Sequence, residues 1–374
     1  MEIKILMLAP LSSIHTIRWA NALYDRGIKI ILAGATTYDP TLYNEGIRII
    51  SLQLPASQTG RNAKAVGKLS YLSLVNKVKQ LIKEEKIDII HAHFASSYGL
   101  IGALVGFKPF VLSVWGSDVY DFPIKSLLHR YILKFNLSKA TLVLSTSHVM
   151  ADETRRYTQK GIDITPFGVD TNVFKPEYDQ KADSKGFVIG IAKTLEEKYG
   201  VEYLLRGYAK FREVYANQNS DIQLKIAGEG ILKESLVKLA DELGIAGHTT
   251  FLGKLKHSDI VGFYNSLNIA VFPSILDSES FGVAVIEANA CGIPVIVSDV
   301  AGFKEVVMHE KNGIIVERKN ADAIYEAIER LYLDKTIREK MGNFGRELVK
   351  EKYEWNKNVE YVISIYNNIL KYHE

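Results

Sequence analysis

The chain carries a single cysteine, Cys291, among 374 residues. One thiol excludes an internal disulfide and a cysteine-built metal site, and it suits a reducing compartment. Neither sign of charge is in excess: 46 Lys and Arg stand against 43 Asp and Glu, a net charge of +3. That balance, with no RNP-like or zinc-finger pattern, argues against a nucleic-acid partner. No uninterrupted apolar run is long enough to span a membrane. The nearest, residues 99–116 (GLIGALVGFKPFVLSVWG), is split by Lys108-Pro109 and reads as a buried helix followed by a buried strand. The opening MEIKILMLAP turns polar too soon for a signal peptide. The expectation is a soluble, cytoplasmic protein. A full G-x-G-x-x-G is also missing: in GEGILKE (228–234) the third glycine position holds Lys233, which disfavours a dinucleotide-dependent dehydrogenase.

What is present is an alternating apolar pattern, in a chain long enough for two domains with their own cores. IKILMLAP (3–10) is a short apolar run, as a strand buried on both faces requires. In the following HTIRWANALYDRG, Ile17, Ala20, Leu23 and Tyr24 make one helical stripe and Gly27 ends it. IKIILAG is the next strand. The alternation continues with a helix over 63–85, strand IDIIHAHF, a helix over 98–105 and strand PFVLSVW. Strand ATLVLST, a helix from His148 and strand IDITPFGV complete the first half. Residues 170–186 (DTNVFKPEYDQKADSKG) are polar, contain Pro176 and read as a connection. The pattern then restarts with strands FVIGIA, IQLKIAG, TTFLG, NIAVFPS and PVIVSD, separated by helices, and ends in helices over 320–333, 337–353 and 355–372. Such alternation predicts two doubly wound parallel α/β domains in tandem. Their limits are 1–168 and 187–354, with a linker at 169–186 and a terminal helix at 355–374. In sheets of this kind ligands sit beyond the carboxyl ends of the strands.

Candidate chemistry concentrates at those ends. In SILDSESFGVAVIEANACG (274–292), Glu279 and Glu287 flank Phe281-Gly282-Val283. A helix starting near Phe281 offers unpaired N–H groups and the positive end of its dipole, and Gly282 allows close approach, which together make a diphosphate seat. On one continuous helix eight residues separate the carboxylates by roughly 12 Å, too far to act on one atom. With Glu279 in the preceding loop, each carboxylate reaches a different part of one ligand. The alternative is a pair of surface carboxylates, although Glu287 falls among small apolar residues where a buried carboxylate wants a partner. Lys193 and Lys198, in the loop after FVIGIA, are either two cations for a diphosphate or solvated lysines paired with Glu196 and Glu197. Gly228, in GEG, reads as a tight turn lining the site.

In the first half, His91 and His93 point to one side of a strand. No third ligand of suitable spacing stands nearby, so no metal site is expected. In VWGSDVY, Gly116 permits close backbone approach, and Asp118 either accepts a sugar hydroxyl or caps the next helix. Two apolar stretches are basic. Arg61, Lys64, Lys68, Lys77, Lys79 and Lys83 occur with no acid among them, and IKSLLHRYILKFNLSKA adds Lys125, Arg130, Lys134 and Lys139. These are solvated helix faces, or faces for an anionic membrane or a lipid-phosphate acceptor.

Taken together, HTIRWANAL, HAHFASSYGLIGAL, WGSDVY, ITPFGVDTNVFKP, the lysine loop, IAGEG, FLGKL and FPSILDSESFGVAVIEANACGIPVIVSD resemble the retaining glycosyltransferases of group 1, also called family 4. The last matches that family's E-x7-E signature with Glu279 and Glu287. The resemblance spans nearly the whole chain. It implies a GT-B fold, two Rossmann-like domains face to face, with the acceptor on the N-terminal side and a nucleotide-sugar held mostly by the C-terminal domain. It implies that the last helix packs back on the N-terminal domain. Lys193 and Lys198 would stabilise the diphosphate, Glu279 would contact hydroxyls of the transferred sugar, and Glu287 would accept from the ribose. The amides of Phe281, Gly282 and Val283 would face the diphosphate or sugar. The backbone around Lys254 and Leu255 would line the base pocket, and the Ser12-Ser13 loop would approach the phosphates. Two positions depart from the family: lysine stands at 193 where arginine is usual, losing the bidentate fork, and Trp115 stands where a histidine often touches the donor sugar, a role Asp118 would share.

The activity so implied is metal-independent, retaining transfer of a hexosyl or N-acetylhexosaminyl group from a nucleoside diphosphate sugar, UDP favoured, with no cofactor. The acceptor would be a glycan or a lipid-linked glycan of surface polysaccharide synthesis, with peripheral membrane contact through the basic N-terminal-domain helices. A sugar-nucleotide epimerase of the same architecture and a non-catalytic nucleotide-sugar-binding subunit are the competing readings.

Overall fold

The computed structural model describes residues 2–52, 63–177, 186–215 and 221–372; the side chains of residues 63–72 and of His257 lie outside the description. Arg61, and the side chains of Lys64 and Lys68 in the first basic stretch, therefore fall outside it. The chain divides into two compact units. Unit 1 comprises residues 1–166 together with 357–374, and unit 2 comprises residues 167–356.

Unit 1 runs β1 (Lys4–Leu8), α1 (Ile14–Tyr24), β2 (Lys29–Gly34), β3 (Arg48–Ser51), α2 (Ala63–Glu85), β4 (Ile89–His93), α3 (Ser97–Val105) and β5 (Phe110–Val114). It continues with α4 (Ser117–Tyr120), α5 (Leu127–Lys139), β6 (Leu142–Ser145), α6 (His148–Arg155) and β7 (Ile162–Ile164). The seven strands order β3-β2-β1-β4-β5-β6-β7 and every pairing is parallel. Strands β4 and β5 are buried along their whole length, which is why both read as continuous apolar runs rather than alternating ones. The run 99–116 does split, into most of α3 and β5, and among the described residues no helix is long and apolar enough to cross a membrane. Strand β7 stops at Ile164, shorter than its apolar run, because Pro166 has no N–H to continue the ladder.

Unit 2 runs β8 (Phe187–Ala192), α7 (Val201–Tyr215), β9 (Ile222–Ala227), α8 (Lys233–Glu242), β10 (Thr249–Gly253), α9 (His257–Asn265), β11 (Ile269–Phe272) and α10 (Val283–Ala290). Then follow β12 (Val295–Ser298), α11 (Ala301–Val306), β13 (Gly313–Val316), α12 (Ala321–Leu333) and α13 (Lys335–Lys352). Its six parallel strands order β10-β9-β8-β11-β12-β13. Asn320 and Asp334 cap α12 and α13, accepting from Ala323 N at 3.0 Å and Ile337 N at 2.9 Å, so each helix has one orphan amide satisfied at its start.

The segment read from sequence as a connection is built into unit 2 where it is described. Val169 bridges Glu354, Arg346 Nη1 donates to the Phe174 carbonyl at 3.1 Å, and Phe174 is buried; residues 178–185 lie outside the described residues. The last helix, α14 (Trp355–Lys371), passes from one unit to the other. From Lys357 on it packs in unit 1, burying Val359, Val362, Ile365 and Tyr366 and pairing Glu360 with Arg26 at 2.7 Å.

Both sheets change winding direction once, between β1 and β4 and between β8 and β11. A crevice opens beyond the strand ends at such a switch point. The loops 193–200 and 273–282, which carry the proposed lysines and Glu279, leave β8 and β11 at the switch point of unit 2.

Candidate functional site

In unit 2 the lysine loop and the loop before α10 are tied together by backbone. Ile275 N donates to Lys198 O at 2.8 Å, while Leu195 N donates to Glu229 O at 3.0 Å and so ties the lysine loop to the turn after β9. This brings Lys193 Nζ within 2.6 Å of Glu279 Oε2, with the two side chains only 17% and 11% exposed. Glu279 thus lies in the loop and not on the helix, as the spacing argument requires of a carboxylate apart from Glu287. Lys198 reaches Glu196 more loosely, at 4.0 Å. Of the two sequence alternatives for the lysines, surface pairing describes Lys198–Glu196 in part. It does not describe Lys193, whose partner comes from another loop.

Tyr199, which the sequence reading passed over, is approached by both ammonium groups. Lys193 Nζ is 4.6 Å and Lys198 Nζ 4.7 Å from its ring centre, within the range where a cation is attracted by the ring quadrupole. Burial pulls the Lys198 ammonium down, but Tyr199, Glu196 and Glu279 outweigh it and hold it above the usual lysine value. Both lysines thus approach one tyrosine, with Glu279 on Lys193 and Glu196 beside Lys198. The only sequence cue to Tyr199 was its place next to Lys198.

Helix α10 begins at Val283, two residues later than expected, because Gly282 takes the left-handed conformation (φ 88°) as its N-cap. A Cβ there would stand 2.9 Å from the Phe303 ring, and positive φ strains any L side chain. No side chain caps this helix start, which leaves backbone donors aimed at the loop mouth. Phe281 is buried against Phe167 and Tyr353, at ring separations of 6.4 and 5.6 Å, so it anchors the turn and offers only its backbone. Gly302 completes the support: a Cβ at that position would fall 2.2 Å from the Glu279 carbonyl oxygen. The sequence offered no hint of this contact, because α11 is short and was not recognised as a helix.

Glu287 lies on α10 below the mouth, and Tyr264 Oη donates to its Oε2 at 3.5 Å, the long limit of a hydrogen bond. Burial, then the charge of Glu287, keeps the Tyr264 hydroxyl protonated far above its ordinary range. Lys193, Gly228, Lys254, Leu255 and Glu287 line one cavity of about 430 Å3, together with Glu229 and Tyr264. Five residues singled out from sequence thus meet around one space. Gly228 N is fixed to Gly253 O at 2.8 Å, joining the turn after β9 to the end of β10.

In unit 1 the sequence candidates lie at the carboxyl ends of β1, β4 and β5. Ser12 is exposed, its amide donating to Thr36 Oγ1 at 3.1 Å, and Ser13 precedes α1 without capping it through its side chain. Gly116 precedes α4 at φ 130°. Asp118 corrects the expectation of a catalytic or sugar-binding carboxylate. It is 1% exposed, and its oxygens accept from Ala95 N at 2.7 Å, Gly116 N at 2.8 Å and Trp115 N at 3.1 Å. Burial pushes its carboxyl above the usual range while the amides pull it back. This carboxylate fastens the loops after β4 and β5 and has no face for a ligand.

The histidine pair is buried. His91 Nδ1 meets Tyr366 Oη and its Nε2 meets Ser113 Oγ, both at 2.7 Å. Burial depresses its pKa to about 3. The His93 ring lies 4.5 Å from that of Trp115, and burial, then His91 and His15, push it well below the ordinary value. Among the described residues no group of three or more His, Cys, Asp or Glu gathers as a metal site would.

Residues 175–348 match the family described as glycosyl transferases group 1, and residues 4–147 match the one described as glycosyl transferase 4-like. The chain is 31% identical to the capsular polysaccharide biosynthesis glycosyltransferase CapM of Staphylococcus aureus, over 71% of this chain and 67% of that one. An uncharacterized glycosyltransferase of Methanocaldococcus jannaschii is 27% identical over 89% of both. Among solved structures, Anabaena HepE in complex with UDP superposes with a TM-score of 0.82 at 17% identity, over 98% of this chain and all of that one. That likeness establishes two Rossmann-like α/β domains of the GT-B class.

Proposed function

We propose, for a chain that belongs to the group 1 glycosyltransferases, that unit 2 binds a nucleoside diphosphate sugar and that the enzyme transfers its hexosyl or N-acetylhexosaminyl group to an acceptor hydroxyl with retention. The observation that carries this is the convergence of Lys193, Tyr199, Lys198 and Glu279 at the switch point, beside the cavity lined by Lys254, Leu255 and Glu287. In this reading the diphosphate lies over the start of α10, against the amides of Gly282 and Val283. Lys193 and Lys198 take the charge that grows on it as the bond to the sugar C1 breaks. Glu279, already on Lys193, orients the sugar hydroxyls, and Glu287 accepts from the ribose. The base enters between Lys254 and Gly228. In unit 1, the loop of Ser12 and Ser13 and the backbone of Gly116 serve the phosphate and acceptor side.

With two ammonium groups and a helix start to meet the leaving group, the proposed chemistry calls on no metal and no cofactor. UDP is the favoured nucleotide, supported by the UDP complex of the fold relative. A glycan or lipid-linked acceptor of surface polysaccharide synthesis is supported by the capsular relative. A lipid-linked acceptor would be met at the inner face of a membrane, through the basic helices of unit 1. A thermal-shift series with UDP, GDP and ADP tests the donor: one diphosphate should raise the melting temperature by linkage, in the presence of EDTA as in its absence. A flat response to all three would remove the donor site, and a response that EDTA abolishes would remove the metal-independent chemistry.

A further inference from the structure

Away from the donor site, α5 in unit 1 presents an apolar end to solvent. Ile124, Leu127, Leu128 and Tyr131 are each between 66% and 71% exposed. The helix is nonetheless well anchored. Ser126 caps it, accepting from His129 N at 3.4 Å. Its inner face buries Leu133 and Leu137, and Asn136 donates to the Ala95 carbonyl at 2.8 Å. The exposed apolar cluster is thus held out on a fixed helix, and a contiguous patch of this kind marks an interaction surface.

Charge says what covers it. Residues 122–151 contain no Asp or Glu but carry Lys125, Arg130, Lys134 and Lys139. Beside α5, Lys134, Arg156 and Lys160 line a groove of about 590 Å3 with Ser138 and Thr158. The acids of α6, Asp152 and Glu153, are paired with Arg155 and Arg156. Lys108, Lys139 and Lys160 crowd one another: the Lys108 ammonium is depressed by burial, then by Lys160 and Lys139, with no carboxylate in opposition.

The order of residues along the helix matters as much as their sum. Leu127, Tyr131 and Lys134 follow at spacings of four and three, so they form one stripe. At 1.5 Å per residue, the step from leucine to tyrosine is about 6 Å and from tyrosine to lysine about 4.5 Å. Aliphatic, then phenolic, then ammonium is the polarity sequence of a lipid monolayer from acyl chains through the interface to the phosphates. A nucleic acid would call for several exposed stacking rings, where this surface shows three aliphatic side chains and one tyrosine.

We propose that the N-terminal end of α5 docks on an anionic lipid bilayer, with Ile124, Leu127 and Leu128 entering the acyl boundary and Lys134 and Lys160 of the adjoining groove receiving lipid phosphates. This deepens the membrane-contact part of the function proposed above and rests on it for its purpose, while its test needs no donor. The full chain is sedimented with vesicles of phosphatidylcholine alone and of phosphatidylcholine with phosphatidylglycerol, at low and high salt. It should follow the anionic vesicles only, and less so at high salt. Leu127→Ser with Leu128→Ser should weaken partitioning at least tenfold, and Lys134→Ala about fivefold.

The nucleoside diphosphate thermal shift of each variant, measured in parallel, should equal that of the parent. Loss of vesicle binding with that shift intact assigns the surface. Vesicle binding with no shift for any diphosphate leaves the surface standing and removes the donor reading. Equal binding to both vesicles, binding to neither, or an undiminished double variant overturns the proposal, as does a parent dimer that the double variant converts to monomer without any vesicle binding.

Discussion

Lys193 and Glu279 come from different loops, yet their charged atoms lie 2.6 Å apart in a setting mostly closed to water. A pair this sheltered is costly to break from one side, because the remaining charge loses its partner but not its burial. Lys193→Ala is therefore expected to lower the stability of unit 2 by about 3 kcal/mol and transfer by roughly 10²–10³. Lys193→Ala with Glu279→Ala should regain much of the stability and none of the transfer. Urea unfolding beside a product assay separates the two. A single variant as stable as the parent would show that the ion pair does not shape the site.

Tyr199 lies within cation–π reach of both ammonium groups. Its hydroxyl hydrogen-bonds Lys198 and its ring lies within reach of both cations, so Tyr199→Phe should lose about tenfold in kcat/KM, the loss of one hydrogen bond to a charged group, and Tyr199→Ala clearly more, since a cation–π contact is worth about 0.5–2 kcal/mol and two are removed as well. The loss should fall on kcat, where leaving-group charge is stabilised. A Phe variant as impaired as the Ala variant would shift the role from the ring to the hydroxyl.

The two glutamates of the E-x7-E stretch should fail differently. Glu287 lines the cavity beside Lys254 and Leu255, so Glu287→Ala should raise donor KM about tenfold or more, the loss expected when a charged hydrogen-bond acceptor is removed, with kcat little changed. Glu279→Ala should lower kcat or relax sugar choice. Steady-state kinetics with two sugar nucleotides of one base reads both; matching profiles for the two variants would contradict the division of labour.

Much of this was readable in the chain because it rests on burial and on strand ends. Parallel strands covered on both faces, such as β4, β5 and β12, announce themselves as apolar runs. Loops that leave such strands are where Lys193, Gly228 and Glu279 were found. The four-residue strands β3 and β13 were missed: each closes one side of its sheet and shows neither alternation nor a hairpin signal. Tyr199 and Gly302 escaped because their importance lies in what another loop places against them, at a sequence distance no local pattern reports. Asp118 was left between two roles for a related reason. A carboxylate that fastens loops and one that binds a ligand look alike in sequence, and only the three amides converging on Asp118 tell them apart.

The buried histidines give unit 1 a sensitivity to acid. His91 is held neutral by burial, with its pKa near 3 when folded against about 6.5 when unfolded, and His93 is shifted the same way. Above pH 6.5 both states hold these rings neutral and the shift has no effect on stability. As pH falls below 6.5 the unfolded chain gains protons that the folded one refuses, so stability falls, and continues to fall until the folded pKa is reached near 3. Between pH 7 and pH 5 His91 should remove about 2 kcal/mol, and His93 acts in the same direction. Tyr366 gives a way to attribute the effect, since its hydroxyl meets His91 Nδ1 and fastens α14 to β4. His91→Gln should flatten the pH dependence by about one proton's worth while keeping a polar group for Tyr366 and Ser113. Urea midpoints followed by tryptophan fluorescence at pH 7, 6 and 5 measure the slope, because Trp115 packs against the His93 ring. A parent whose midpoint is level over that range would mean that these rings take up protons without unfolding.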